Sequence, residues 1–130
     1  MNKKEVKKIV NKVYPFIKNY YGKSIHFDKF PSIKYHTNIY ARISGEKDMD
    51  GEESPAAEFE RETNTIWIYY PNAIDKKWVI QTLLHEYAHY LQDGDEMKKL
   101  YNKGYDYSNH PFELEAIALE ANWTMFGSIK

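Results

Sequence analysis

The 130-residue chain contains no cysteine. Disulfides and thiolate metal sites are therefore excluded, so any metal ion must be held by His, Asp or Glu. Also missing is an excess of charge of either sign. Eighteen basic residues face nineteen acidic ones, for a formal net charge of −1. A nucleic-acid partner, which selects a strongly basic face, is not expected. The opening Met1-Asn2-Lys3-Lys4-Glu5-Val6-Lys7-Lys8 never gives way to an apolar run. A signal peptide or a membrane span needs such a run, so the expectation is a soluble, cytoplasmic chain with no membrane partner.

What is present suffices for one domain, spanning residues 1–130 with no visible boundary, internal repeat or low-complexity tract. Hydrophobic residues make up 42% and aromatics 16%, well outside the disordered range. Tyr is the main aromatic, with twelve copies. Because each Tyr couples an apolar ring to a polar tip, part of this content is expected to line a cleft.

Val6, Ile9, Val10, Val13, Phe16, Ile17 and Tyr20 recur at helical spacing, with lysines opposite and Gly22 as a stop. They predict an amphipathic N-terminal helix, kinked or restarted at Pro15. Ser32–Ile43 reads as extended, and Glu46–Pro55 as an acidic surface loop. Its Asp48-Met49-Asp50-Gly51 lacks the spacing of a calcium loop. Ala57–Glu60 and Thr65–Tyr70 read as a hairpin turning at Glu62-Thr63-Asn64. Asp75 is placed to cap a helix from Lys76 to about Gln92, which Gly94 closes. A short helix over Asp95–Lys103 and a last one from Pro111 to about Phe126 follow. The fold class predicted is α+β, with a small, mostly antiparallel sheet packed on the central helix and a helical C-terminal part.

Inside that central helix, residues 85–89 read His-Glu-Tyr-Ala-His, the HExxH pattern. With five His and twelve Glu, a shuffled chain would contain it about 0.02 times. On a helix, His85 and His89 lie one turn apart and can converge on one ion. Glu86, one residue further round, can reach a water beside that ion. Zinc suits such a site, because three protein ligands leave it a Lewis acid that lowers its water's pKa from about 15.7 to near 7. Glu86 would accept the proton as the water attacks a peptide carbonyl and return it to the leaving amine.

A third ligand is needed, and the residues leave several open. Asp95 stands where the long metzincin pattern places its last ligand, but Gln92 stands where that pattern needs a turning Gly; Asp93 is its neighbour. Glu113 and Glu115 open the last helix in His110-Pro111-Phe112-Glu113-Leu114-Glu115-Ala116. Glu113 is also placed to close a capping box on His110.

HEYAHYLQ followed by HPFELEA resembles the gluzincins, especially very small archaeal and bacterial members reduced to the catalytic core. Related Glu-x-x-Ala patterns occur in membrane-embedded CAAX-processing proteases and in proteases that act on phage repressors. The resemblance covers about 85–122, close to a third of the chain. It implies a zincin-like domain binding one zinc per chain through His85, His89 and Glu113. Ala116 would allow close helix packing. It further implies a peptidase, most readily an endopeptidase, acting on peptide or unfolded protein. The alternative is a catalytically silent zinc-binding regulatory or scaffold module.

The chain departs from the larger gluzincins at Ile117, where they often place an acidic residue that orients a zinc histidine. That support must come from a backbone carbonyl, Glu120 or Asn122. Tyr105, Tyr107 and His110 are positional candidates for an oxyanion donor. Ala57–Glu60 is the expected substrate-pairing edge strand. The tail Phe126–Lys130 is a candidate cover for the cleft in a latent form. Cleavage preference and oligomeric state are not legible.

Overall fold

The computed structural model describes residues 1–37, 56–106 and 109–128. Helix α1 (Lys3–Tyr21) leads to strand β1 (Ser32–His36), and the hairpin β2 (Ala57–Glu60) and β3 (Thr65–Tyr69) follows. After a 3-10 turn at Tyr70–Asn72 come α2 (Lys76–Leu91), α3 (Gly94–Asn102), α4 (Pro111–Glu120) and α5 (Trp123–Gly127). The class is α+β, as the periodicities require. The expected acidic surface loop Glu46–Pro55, the end of the first extended stretch and Tyr107 lie outside the described residues.

The sheet has the order β1-β3-β2. Its hairpin is antiparallel, with Ala57 opposite Ile68 and Glu60 opposite Thr65. The other pairing is parallel, Ser32 opposite Thr65 through His36 opposite Tyr69, so the sheet is mixed rather than mostly antiparallel. Residues 37–64 between β1 and β3 exceed the dozen or so that a parallel connection needs, and no periodicity within a strand reports its neighbour's direction. The central strand shows its place by composition: Ile66, Ile68 and Tyr69 are fully buried.

Helix α1 is capped by a reciprocal pair, Asn2 accepting from the Glu5 N–H and Glu5 from the Asn2 N–H. It runs through Pro15 without interruption and ends at Gly22, whose φ of +79° only glycine adopts freely. Its buried stripe, Val6, Val10, Val13 and Ile17, is narrower than the sequence pattern suggested. Phe16 is 50% exposed and Tyr20 59% exposed, while the stripe packs chiefly on α2, with α5 and the 3-10 turn beside it.

Asp75 caps α2 by accepting from the Trp78 N–H at 2.8 Å. The middle of α2 is buried nearly all round, including Ile80, Leu83, Leu84, Tyr87 and Tyr90. Tyr69, Tyr87 and Tyr90 are fully buried in the core. Tyr87 donates to the Gly22 carbonyl at 2.6 Å and Tyr90 to that of Lys29 at 2.9 Å, which satisfies their hydroxyls among apolar neighbours.

Gly94 does not close α2. Gln92, with extended backbone, ends it, and Asp93 caps α3 through the N–H groups of Asp95 and Glu96. Gly94 is needed for closeness rather than turning: an added Cβ would lie 2.8 Å from the Arg61 side chain. The last helix is likewise two helices. At Ala121 and Asn122 the backbone tightens into i→i+3 bonds. The Asn122 side chain donates to the Tyr21 hydroxyl at 2.9 Å, and α5 turns Phe126 into the core.

Candidate metal centre

Three side chains converge where α2 meets α4. His85 and His89, one turn apart on α2, point their Nε2 atoms at the two oxygens of Glu113. His85 Nε2 lies 3.1 Å from Oε2, and His89 Nε2 lies 3.0 Å from Oε1. Nitrogen and oxygen donors of the three all fall within 4.8 Å of one another. Ala116, one turn past Glu113 on α4, is fully buried. Glu113 does not close a capping box: the His110 N–H bonds to the Asp106 carbonyl instead.

The outer contact of each imidazole calls for a proton on Nδ1. His85 Nδ1 lies 2.9 Å from Glu120 Oε2, and a carboxylate only accepts, so the proton sits on Nδ1. His89 Nδ1 lies 2.7 Å from Gln92 Oε1. The orientation of that amide is set by its other end, since Gln92 Nε2 donates to the Phe112 carbonyl at 2.9 Å. His89 therefore also carries its proton on Nδ1. Each Nε2 in turn faces a Glu113 oxygen: it donates when the ring is protonated and presents a lone pair when the ring is neutral. With both rings neutral, acceptor would face acceptor twice, a conflict that two protons or one cation relieve.

The titration behaviour follows. Burial disfavours charge on His85, but the hydrogen bonds to Glu113 and Glu120 outweigh it and raise its pKa to about 9. His89 is raised against its burial chiefly by its bond to Glu113 and the charges of Glu86 and Glu113. For Glu113, burial pushes upward, yet the two histidines hold it down to about 2.

Glu86 stands apart from the triad, as its position one residue round the helix predicts. It is buried, and its Oε2 has no hydrogen-bond partner. Burial lifts its pKa to about 6 despite the nearby histidines. It borders a cleft of about 340 Å³ together with Ala56, Ala57, Trp78, Gln81, Thr82, His85 and Glu120. The donor set suits zinc: two imidazoles and one carboxylate, with an orphaned carboxylate oxygen close by.

The other candidates fall elsewhere. Glu115 is exposed and reaches only Gln92, at 3.4 Å. Asp93 and Asp95 belong to the start of α3. Of the two side chains considered as histidine supports, Glu120 takes the role and Asn122 is spent on Tyr21. His110 is no oxyanion donor, because Nε2 donates to the Met97 carbonyl at 3.0 Å and Nδ1 accepts from the Phe112 N–H. Tyr105 packs edge-on to His110 and does not line the cleft. Phe126 sits in the core with Tyr20 and Tyr21, not over the cleft; residues 129–130 lie outside the described structure.

Two contributors escaped the sequence reading. Gln92, three residues after His89, lies at a helical spacing that could have flagged it. Arg61, in the hairpin turn, donates to the carbonyls of His89 at 2.7 Å and Gln92 at 3.0 Å, closing the end of α2. No signal in the sequence links it to α2.

Fold and site together define an α+β protein with a candidate divalent-cation centre held between two helices. No described helix is long and apolar enough to cross a membrane. No protein family, curated protein or solved structure matches the chain.

Proposed function

We propose that the chain is a zinc-dependent peptidase of the gluzincin kind, cleaving extended or unfolded polypeptide with Glu86 as general base. The reading rests on one observation: the Nε2 atoms of His85 and His89 converge on the two oxygens of Glu113, with donor atoms of all three residues within 4.8 Å of one another. His85, His89 and Glu113 would hold the ion. Zinc so held supplies Lewis acidity and lowers the pKa of a coordinated water from about 15.7 to near 7.

The chain's own residues supply the rest. Glu86 Oε2, buried and unpartnered at the cleft, is free to take a proton from the attacking water and pass it to the departing amine. A carboxylate lifted to about 6 binds a proton more readily than an ordinary Glu, yet releases it near neutrality. Strand β2 is an edge among the described residues, and its Ala57 borders the cleft. An extended peptide adding to that edge would run past Glu86.

A non-catalytic metal-binding module is the second reading. It is favoured by the cleft lining, where Trp78, Gln81 and Thr82 are the side-chain donors besides His85 and neither Lys nor Arg is among the described residues that border it. One experiment separates the two. Purified protein is expected to carry about one zinc per chain and to hydrolyse casein, and Glu86→Gln to keep the zinc while losing hydrolysis. Zinc without hydrolysis in the parent chain selects the silent module, and no zinc overturns both.

A further inference from the structure

The last turn of α2 is held more firmly than a helix end requires. Gln92 is 5% exposed although it is polar and ends the helix. Its Oε1 accepts the His89 Nδ1 proton at 2.7 Å, and its Nε2 donates to the Phe112 carbonyl at 2.9 Å. Phe112 immediately precedes Glu113. One amide therefore joins the histidine on α2 to the backbone beside the carboxylate on α4. The Gln92 backbone is fixed as well, since Arg61 donates to its carbonyl and to that of His89, with Gly94 leaving room for the Arg61 stem.

We propose that Gln92 is a positioning residue for the metal centre, setting the His89 tautomer and the distance between the ligand-bearing helices at once. The inference rests on the metal-binding reading above. An amide is the side chain that fits, because the two ends must differ: an acceptor toward Nδ1–H, a donor toward a carbonyl. A carboxylate would satisfy His89 but set an acceptor against the Phe112 carbonyl. An apolar side chain would satisfy neither, and the His89 ring could then turn or exchange tautomers. Outer partners of this kind typically change metal affinity 10- to 100-fold.

The test compares the parent chain with Gln92→Leu and Gln92→Glu in three measurements: zinc affinity by chelator competition, the His89 tautomer by nitrogen-detected NMR, and thermal unfolding without metal. Gln92→Leu is expected to bind zinc about 10- to 100-fold more weakly and to lose the Nδ1–H signature. Gln92→Glu should keep the signature and recover part of the affinity. If Gln92 merely fills space, Gln92→Leu lowers the unfolding midpoint while affinity and tautomer stay at parental values, and the proposal is overturned. A Gln92→Glu variant no better than Gln92→Leu in both affinity and tautomer also overturns it. A parent chain that binds no zinc marks failure of the metal reading itself, a different result from a parent and Gln92→Leu that bind alike.

Discussion

His85 and His89 stand one turn apart on the same helix and face the same carboxylate, but the fold completes them differently. His85 borders the cleft and gives its Nδ1 proton to Glu120, whose side chain is 30% exposed. His89 is closed in and gives its proton to the neutral amide of Gln92. A charged acceptor makes an imidazole more basic, while a neutral one chiefly holds its direction. The His85 pKa is accordingly raised by hydrogen bonds to two carboxylates, Glu113 and Glu120, whereas the outer partner of His89 carries no charge. The cleft side of the site is tuned for donor strength, the closed side for rigidity.

Removing each histidine breaks the comparison most severely. His85→Ala and His89→Ala should both lose stoichiometric zinc, measured by metal analysis. Their metal-free stabilities should diverge. Both remove a partner of Glu113, but His89→Ala also leaves the buried Gln92 acceptor unmet and should cost about 2 kcal/mol. His85→Ala leaves Glu120 able to hydrate and should cost about 1 kcal/mol. Equal losses in denaturant titrations would remove the distinction between an open and a closed half. Next in size is Glu120→Gln, which keeps an acceptor but drops the charge. It should weaken zinc binding about tenfold and lower the His85 pKa, both readable by competition and NMR titration. An unchanged pKa would show that Glu120 only orients the ring.

The smallest effect is the pH profile. In the metal-free protein His85 titrates near 9 against an ordinary 6.5, so its stabilising contribution is complete below 6.5 and is lost as pH rises toward 9. Glu86, raised from 4.5 to about 6, costs stability as pH rises through that interval. Glu113, lowered to about 2, contributes above 4.5 and is lost as pH falls toward 2. The metal-free unfolding midpoint should therefore decline between pH 6.5 and 9. The increment from added zinc should grow over the same range, because the ion displaces the protons that the imidazoles hold. A flat zinc increment across that window would contradict the assigned ligands.

Much of this site could be read before any coordinates, and the reason differs by residue. His85, Glu86 and His89 sit within one helix, where spacing along the chain is spacing in space. Glu113 was narrowed to a few carboxylates, then separated from Glu115 by burial: of the two, only Glu113 turns inward. Arg61 acts on backbone carbonyls, which leave no mark in residue types, and Gln92 joins His89 to the Phe112 carbonyl, a partner that only the fold brings near. Tyr105 and His110 were nominated by position alone, and packing assigned them elsewhere. The parallel pairing of β1 with β3 was invisible because a strand's own alternation does not encode its neighbour's direction.

By itself the sequence determined the helical periodicities, the cap at Asp75, the apolar strand Thr65–Tyr69 and the face on which two imidazoles meet. All of these are set by contacts within a few residues. Tertiary structure alone decided which carboxylate closes the site, which way each imidazole holds its proton, and that α2 ends against Arg61 rather than at a glycine. Those outcomes depend on which distant groups burial brings together, and local patterns carry no record of that.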